Sequence, residues 1–375
     1  MSQKNMVPKI RFKEFTNAWE QEKLVNILNY EQPTKYIVKS SKYVDKGIPV
    51  LTAGKTLILG HTTDKENVKI VSKFNPIIIF DDFTTSSHFI DFPFKIKSSA
   101  MKLLTNHNNN DNIYFNFLLL KNLKYIPEGH NRHWISKFTD FKVITTKYEE
   151  KNIISSLLQN MDSLITLHQR KLEVLKNMKN RLLNKMFANE KNQFPMIRFK
   201  EFTNAWEQEK LVNILNYEQP TKYIVKSSKY VDKGIPVLTA GKTLILGHTT
   251  DKENVKIVSK FNPIIIFDDF TTSSHFIDFP FKIKSSAMKL LTNHNNNDNI
   301  YFNFLLLKNL KYIPEGHNRH WISKFTDFKV ITTKYEEKNI ISSLLQNMDS
   351  LITLHQRKLD MLKNFKNTLL NKMFV

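Results

Sequence analysis

Thr146-Lys147-Tyr148-Glu149-Glu150-Lys151-Asn152-Ile153-Ile154-Ser155-Ser156-Leu157-Leu158 opens the stretch that decides the architecture of the chain. Thr146 and Glu149 fit a capping box, in which the threonine hydroxyl takes a free backbone N–H and the glutamate reaches back. Apolar or semi-apolar residues then recur at Ile154, Leu157, Met161, Leu164, His168, Leu172, Leu175, Met178, Leu182 and Met186. Their mean step of about 3.56 lies between a straight helix and a left-handed coiled coil. No Pro or Gly interrupts 147–187, and a helix of that length spans about 60 Å. Alone, such a rod leaves its stripe in solvent. It needs a long partner.

The partner is written in the same chain. Ile10 to Leu172 reappears letter for letter as Ile197 to Leu359, 163 identical residues at an offset of 187. The match continues to Phe187/Phe374 with four changes: Glu173/Asp360, Val174/Met361, Met178/Phe365 and Arg181/Thr368. A period this long means two whole domains, not stacked repeats. The second rod carries the same stripe at Ile341, Leu344, Met348, Leu351, Leu359 and Leu362. The expected order is a domain over 1–145, a spacer helix over 146–190, a second domain over 191–332 and a C-terminal helix over 333–375. Antiparallel pairing of the rods predicts a two-fold axis across them, with the domains at opposite ends. The fold class is α+β: two identical mixed α/β domains separated by two long antiparallel helices.

Ahead of the rod each unit is mixed. Ile48–Leu51, Val68–Val71, Pro76–Phe80 and Phe89–Ile96 are short β-branched or aromatic runs bounded by Gly, Pro, Asp, Ser or Asn, which reads as strand. Asp111 or Asn112 caps a predicted helix through Tyr114, Phe117, Leu118 and Leu120 to Lys124, stopped ahead of Pro127. Between these lie polar loops at 29–46, 53–66, 81–88 and 129–137, the natural carriers of function on a rigid frame.

Composition narrows the partner. In 375 residues, Lys+Arg 56 against Asp+Glu 35 leaves a net charge of +21, and hydrophobic content of 41% is enough to build cores. Only 7 of the cations are Arg, so the positive charge is diffuse more than forked. The absence of Cys excludes a disulfide scaffold, thiol catalysis and Cys-ligated zinc, and suits a reducing compartment. Apolar runs fall short of a membrane span, and Met1-Ser2-Gln3-Lys4-Asn5 leads into no apolar signal core. A cytoplasmic protein with a polyanionic partner and no membrane is expected.

Catalytic patterns fail one by one. Gly54-Lys55-Thr56 resembles the end of a phosphate loop, but Pro49 stands where the first Gly is needed. No GxGxxG is present. Asn75-Pro76-Ile77-Ile78 lacks the second Pro and aromatic of an amino-methyltransferase site. Asp140 with Glu149-Glu150-Lys151 imitates a nuclease pattern, yet Glu149 is explained as a cap. His130 and His133 have metal-ligand spacing without a third ligand, and Asp81-Asp82 reads as a solvated turn. No nucleophile, base and orienter assemble, so no catalytic and no metal residue is assigned.

Nucleic-acid binding fits better. The loops carry cations interleaved with hydroxyl, amide and imidazole groups, suited to phosphates and base edges respectively. The candidate DNA contacts are Lys42, Lys55, Thr84, Ser86, Ser87, His88, Arg132 and His133, and in the second copy Lys229, Lys242, Thr271, Ser273, Ser274, His275, Arg319 and His320.

Two signatures carry a family resemblance. Ile10-Arg11-Phe12-Lys13-Glu14-Phe15-Thr16-Asn17-Ala18-Trp19-Glu20 heads each unit. The tail runs Ile153-Ile154-Ser155-Ser156-Leu157-Leu158, Met161-Asp162-Ser163-Leu164-Ile165, His168-Gln169-Arg170-Lys171-Leu172 and Leu182-Leu183-Asn184-Lys185-Met186-Phe187. With domain, rod, domain, rod in that order, the chain resembles the specificity (S) subunit of a Type I restriction–modification system.

The resemblance implies a non-catalytic chain whose domains each recognise half of a bipartite double-stranded DNA site. Its rods fix the half-site separation and dock two modification subunits. S-adenosylmethionine belongs to those partners, and ATP and Mg²⁺ to restriction; none is bound by this chain. Such subunits usually carry two different recognition domains. Two identical readers about a two-fold axis predict an interrupted palindrome, with half-sites separated by at most roughly 18 bp. A stand-alone dimer-like DNA-binding regulator, a self-contained nuclease and an RNA-binding protein are the rival readings.

Overall fold

The computed structural model describes residues 6–375 apart from 41, 53–55, 124, 126–133, 139, 228, 240–242, 311 and 313–319. The chain divides into two compact units, one of Met1–Gln169 with Arg357–Val375, the other of Arg170–Gln356. Each therefore owns the first part of one long helix and the last part of the other.

In the first unit the order is β1 (Glu20–Lys23), α1 (Leu24–Ile27), β2 (Leu28–Glu31), β3 (Ile48–Leu51), β4 (Ile58–Thr62), β5 (Ile77–Asp81), β6 (Ser87–Ile90), β7 (Lys95–Ile96), β8 (Met101–Asn106), α2 (Ile113–Asn122), β9 (Lys142–Thr145) and the long α3 (Tyr148–Met186). The second copy repeats this order from Glu207 to α6 (Tyr335–Met373). An antiparallel sheet β2-β8-β5-β6 packs over a smaller sheet β4-β3-β7, in which β3 and β7 run parallel; among the described residues β1 pairs only with β9.

Strand β5 explains the layering. Ile77 and Ile79 face a cluster with Leu51, Phe94, Ile96 and Leu103, while Ile78 and Phe80 face Leu104, Phe115, Trp134 and Phe138. A strand covered on both faces needs the unbroken apolar run the sequence shows. The predicted α2 begins as expected: the Asn112 side chain accepts the Phe115 N–H at 2.9 Å.

The two long helices run antiparallel within each unit. In the first, Asp162 of α3 meets Lys366 of α6. The start of α3, through Glu150 and Trp19, instead meets Phe374 beyond the end of α6. Ile154, Leu158 and Met161 share a core there with Leu369, Met373 and Phe374. Among the described residues no helix is long and apolar enough to cross a membrane.

The seam differs in detail from the expected stripe. The buried and half-buried positions of α3 include 154, 158, 161, 165, 168, 172, 175, 179, 182 and 186, an alternation of four and three; Glu150, Lys151 and Ser155 near its start are buried as well. Leu158 and Ile165 replace Leu157 and Leu164, and Lys179 replaces Met178. Leu157 is half-buried, and Leu164, Leu351 and Met178 are exposed. Both members of the 157/158 and 164/165 pairs are apolar, so composition alone does not set the phase; the partner helix does. Of the other assigned positions, Ile154, Met161, Leu172, Ile341, Met348 and Leu359 are buried, and Leu175, Leu344 and Leu362 half-buried.

Candidate nucleic-acid interface

A carboxylate to which the sequence gives no structural partner, Glu150, joins the mixed region to the long helix. Helix α3 makes its first bond from Lys151 N–H to the Lys147 carbonyl, so Thr146 stands one residue ahead of the cap. Its hydroxyl donates to Glu150, and Glu149 points to solvent. The capping-box reading is thereby corrected. Glu150, 1% exposed, takes Arg11 Nε and Nη2 at 2.7 and 2.8 Å and Trp19 Nε1 at 3.1 Å. Charge-assisted bidentate bonds of this kind pin the head segment 10–20 onto the helix. Arg198, Trp206 and Thr333 do the same around Glu337.

A second set of polar bonds bolts α2 to the rods. The Tyr114 hydroxyl donates to Asp162, which also pairs with Lys366; Tyr301, Asp349 and Lys179 repeat this in the other unit. Burial, then the hydrogen bond to the carboxylate, raises the pKa of each tyrosine far above its ordinary value. Lys151 grips Asp111 at 2.8 Å, and Asn112 accepts from Ser155 at 2.8 Å and donates to Asn152 at 2.6 Å. The mixed region is held as one piece with its helices.

The turn between β5 and β6 carries the hydroxyl candidates. Asp81 accepts the Phe83 N–H at 2.9 Å and the Thr84 hydroxyl at 2.7 Å, and the Thr84 and Ser86 hydroxyls lie 2.9 Å apart. Thr84 and Ser86 thus spend their hydroxyls on the turn, as do Thr271 and Ser273. Thr85 and Thr272 sit at φ 58, a left-handed conformation that β-branched residues seldom adopt. Ser87 and His88 line a groove of about 870 Å³ with Tyr114, Lys121, Asn152 and Asp162. Burial and the charge of Lys121 lower the His88 pKa, as burial and Lys308 do for His275. A neutral imidazole offers one donor and one acceptor. Ser274 is partly buried, like Ser87.

The remaining candidates scatter. Lys42 and Lys229 are exposed. Lys55, Arg132, His133, Lys242 and Arg319 lie outside the described residues, as do Gly54 and His130. His320 is 2% exposed, with Nδ1 3.0 Å from the Tyr312 hydroxyl, which makes it a packing residue and not a surface contact.

Asp81 and Asp82 are not a solvated turn either. Asp82 and Lys102, both fully buried, face each other at 3.4 Å, and Asp82 takes the Trp134 N–H at 2.7 Å. This carboxylate anchors the chain that leaves residues 126–133. A lysine inside the apolar strand β8 was the signal for it.

The nuclease-like residues are dispersed among other duties. Asp140 is exposed on Lys23 at 2.8 Å, Glu150 holds Arg11 and Lys151 holds Asp111. Among the described residues no group of three His, Asp or Glu is placed to hold a metal ion.

Two mixed α/β units, each seated on antiparallel helix segments, define a two-unit fold built on long helices. The chain matches the crystal structure of a Type I restriction–modification S subunit from M. genitalium with a TM-score of 0.77, over 99% of both chains, at 14% identity. That is a likeness of fold. In sequence, 124 residues are 48% identical to the specificity subunit of the Escherichia coli Type I restriction enzyme EcoR124I/EcoR124II, covering 32% of this chain and 30% of that protein's length. No protein-family model matches the chain.

Proposed function

We propose that this chain is the DNA-recognition subunit of a Type I restriction–modification complex and performs no catalysis itself. The observation that carries this reading is the full-length fold match, supported by the local sequence match to a specificity subunit. Each mixed unit reads one half of a bipartite duplex target. Because 163 residues are identical in the two units, both read the same bases. With the two-fold relation expected from the repeated sequence, the target is an interrupted palindrome.

Two modification subunits supply S-adenosylmethionine chemistry on adenine, and restriction subunits supply ATP- and Mg²⁺-dependent cleavage, in the cytoplasm. The helices offer these partners an apolar face. Leu164 and Leu167 of α3 and Met361 and Phe365 of α6 are exposed in the first unit. Each precedes a seam position by one residue, so antiparallel pairing turns both rows to the same side. Leu351, Leu354, Val174 and Met178 form the counterpart in the second unit.

Co-purification of the chain with its modification subunit tests the reading. A stable complex that methylates adenine in a defined motif is expected. Sequence-specific DNA binding with no methyltransferase captured would favour the stand-alone regulator instead, and Mg²⁺-dependent cleavage by the purified chain would make it a nuclease.

A further inference from the structure

Phe74 and Phe261 are 99% exposed, the most exposed large apolar side chains among the described residues. Each stands at the tip of a tight turn. Ser72 and Asn75 exchange backbone bonds of 3.3 and 3.0 Å, leaving Lys73 and Phe74 as the two tip residues, and Ser72 Oγ accepts the Phe74 N–H at 3.3 Å. The turn stands on a firm base. Lys69 exchanges backbone bonds with Phe94, Val71 is buried in the core between the sheets, and Pro76 leads directly into β5. The ring is thus carried outward on a rigid stalk and contributes nothing to the core.

The surroundings of the ring indicate what it meets. Lys73 beside it is exposed, Asn75 follows it, and Ile70, 71% exposed, is the nearest exposed large apolar residue along the chain. Protein-docking surfaces present contiguous apolar patches; here one ring projects between polar and cationic residues on a chain of net charge +21. Projecting Phe, Leu or Ile side chains flanked by cations are suited to enter DNA at a base step, where the ring replaces a lost base–base stack and the cation meets a phosphate. Lys73 and Pro76 also line the groove that holds His88 and Lys121, so the stalk rises from the rim of the candidate interface.

We propose that Phe74 and Phe261 are wedge residues that enter the bound duplex at a base step, with Lys73 and Lys260 on the flanking phosphates. The inference rests on the DNA-recognition reading above and adds to it a device for distorting the target. Recognition then includes a sequence-dependent cost of unstacking, lowest at pyrimidine–purine steps.

The test uses the full chain, with its modification subunits where these are needed for binding, and a duplex that the parent protein selects from a random-sequence pool. In the double variant Phe74→Ala with Phe261→Ala, affinity for that duplex is expected to fall about 25- to 20,000-fold, two aromatic–base stacks at about 5- to 150-fold each. Its salt dependence and melting temperature should be unchanged. 2-Aminopurine scanned through each half-site should brighten at one step with the parent and not with the variant. Phe74→Trp with Phe261→Trp should retain affinity and show quenching of indole fluorescence on binding. Unchanged affinity and no 2-aminopurine response in a parent that does bind DNA would overturn the wedge alone. Loss of subunit capture with intact DNA binding would also overturn it, assigning the ring to a protein contact. A parent that binds no duplex, alone or in complex, would overturn the DNA reading and the wedge with it.

Discussion

Glu150→Ala tests how the mixed region is fastened to its helix. The side chain is 1% exposed and is the shared acceptor of Arg11, Trp19 and Thr146. Its removal leaves the Arg11 guanidinium, itself only 10% exposed, as an uncompensated cation in a nearly dry site. Breaking a buried ion pair from one side costs about 3–5 kcal/mol. For a unit of this size each kcal/mol moves the melting temperature by about 2–4 °C, so the first unit should melt about 6–20 °C lower. The second unit carries the intact site at Glu337 and serves as an internal reference. Differential scanning calorimetry should therefore show a transition that splits, with its upper part at the parent temperature. Glu149→Ala, at an exposed position, should change stability by no more than about 0.5 kcal/mol. Equal effects of the two substitutions, or a larger effect at Glu149, would refute the reasoning and restore the capping box.

Tyr114→Phe removes the hydroxyl that donates to Asp162; hydrogen bonds to charged groups contribute about 1.5–3 kcal/mol, and a loss in that range should appear in urea unfolding. Acid should weaken both units through an equivalent carboxylate. Burial raises the Glu218 pKa, but hydrogen bonds from Lys256, Tyr223 and Lys222 outweigh it and hold the group at about 2, against an ordinary 4.5, and Glu31 shifts the same way. A depressed carboxylate stabilises the fold above its ordinary pKa, so this contribution should vanish as pH falls from 4.5 toward 2. Glu31→Gln with Glu218→Gln should flatten the stability curve over that window. Exchanging the four differing residue pairs between the rods should leave melting within the error of the parent, because Glu173, Val174, Met178, Arg181 and their counterparts are all exposed.

The parts legible in the sequence are those with local signals. The unbroken run Ile77–Phe80 reads as strand because both of its faces are covered. The rods read as helices because one seam persists through 39 residues. Val68–Val71 has strand composition but makes only the Lys69–Phe94 bridge, with Ile70 in solvent. Charge-rich β1 is a strand only because β9 pairs with it from far along the chain. The candidate interface was legible as a chemistry and not as a geometry. Thr84 and Ser86 have the right groups, yet Asp81 draws them into the turn. Glu150 is chosen over Glu149 by Arg11, 139 residues away in sequence, and His320 is withdrawn into the core by Tyr312. Long-range partners decide such cases.

Sequencing of methylated adenines in cells that express this chain with its modification subunits tests the central claim most directly. One motif is expected, made of a half-site and its own inverted complement around a non-specific spacer. Two unrelated half-sites, or a direct repeat of one, would contradict the proposed reading of one half-site by each of two identical repeats about a two-fold axis.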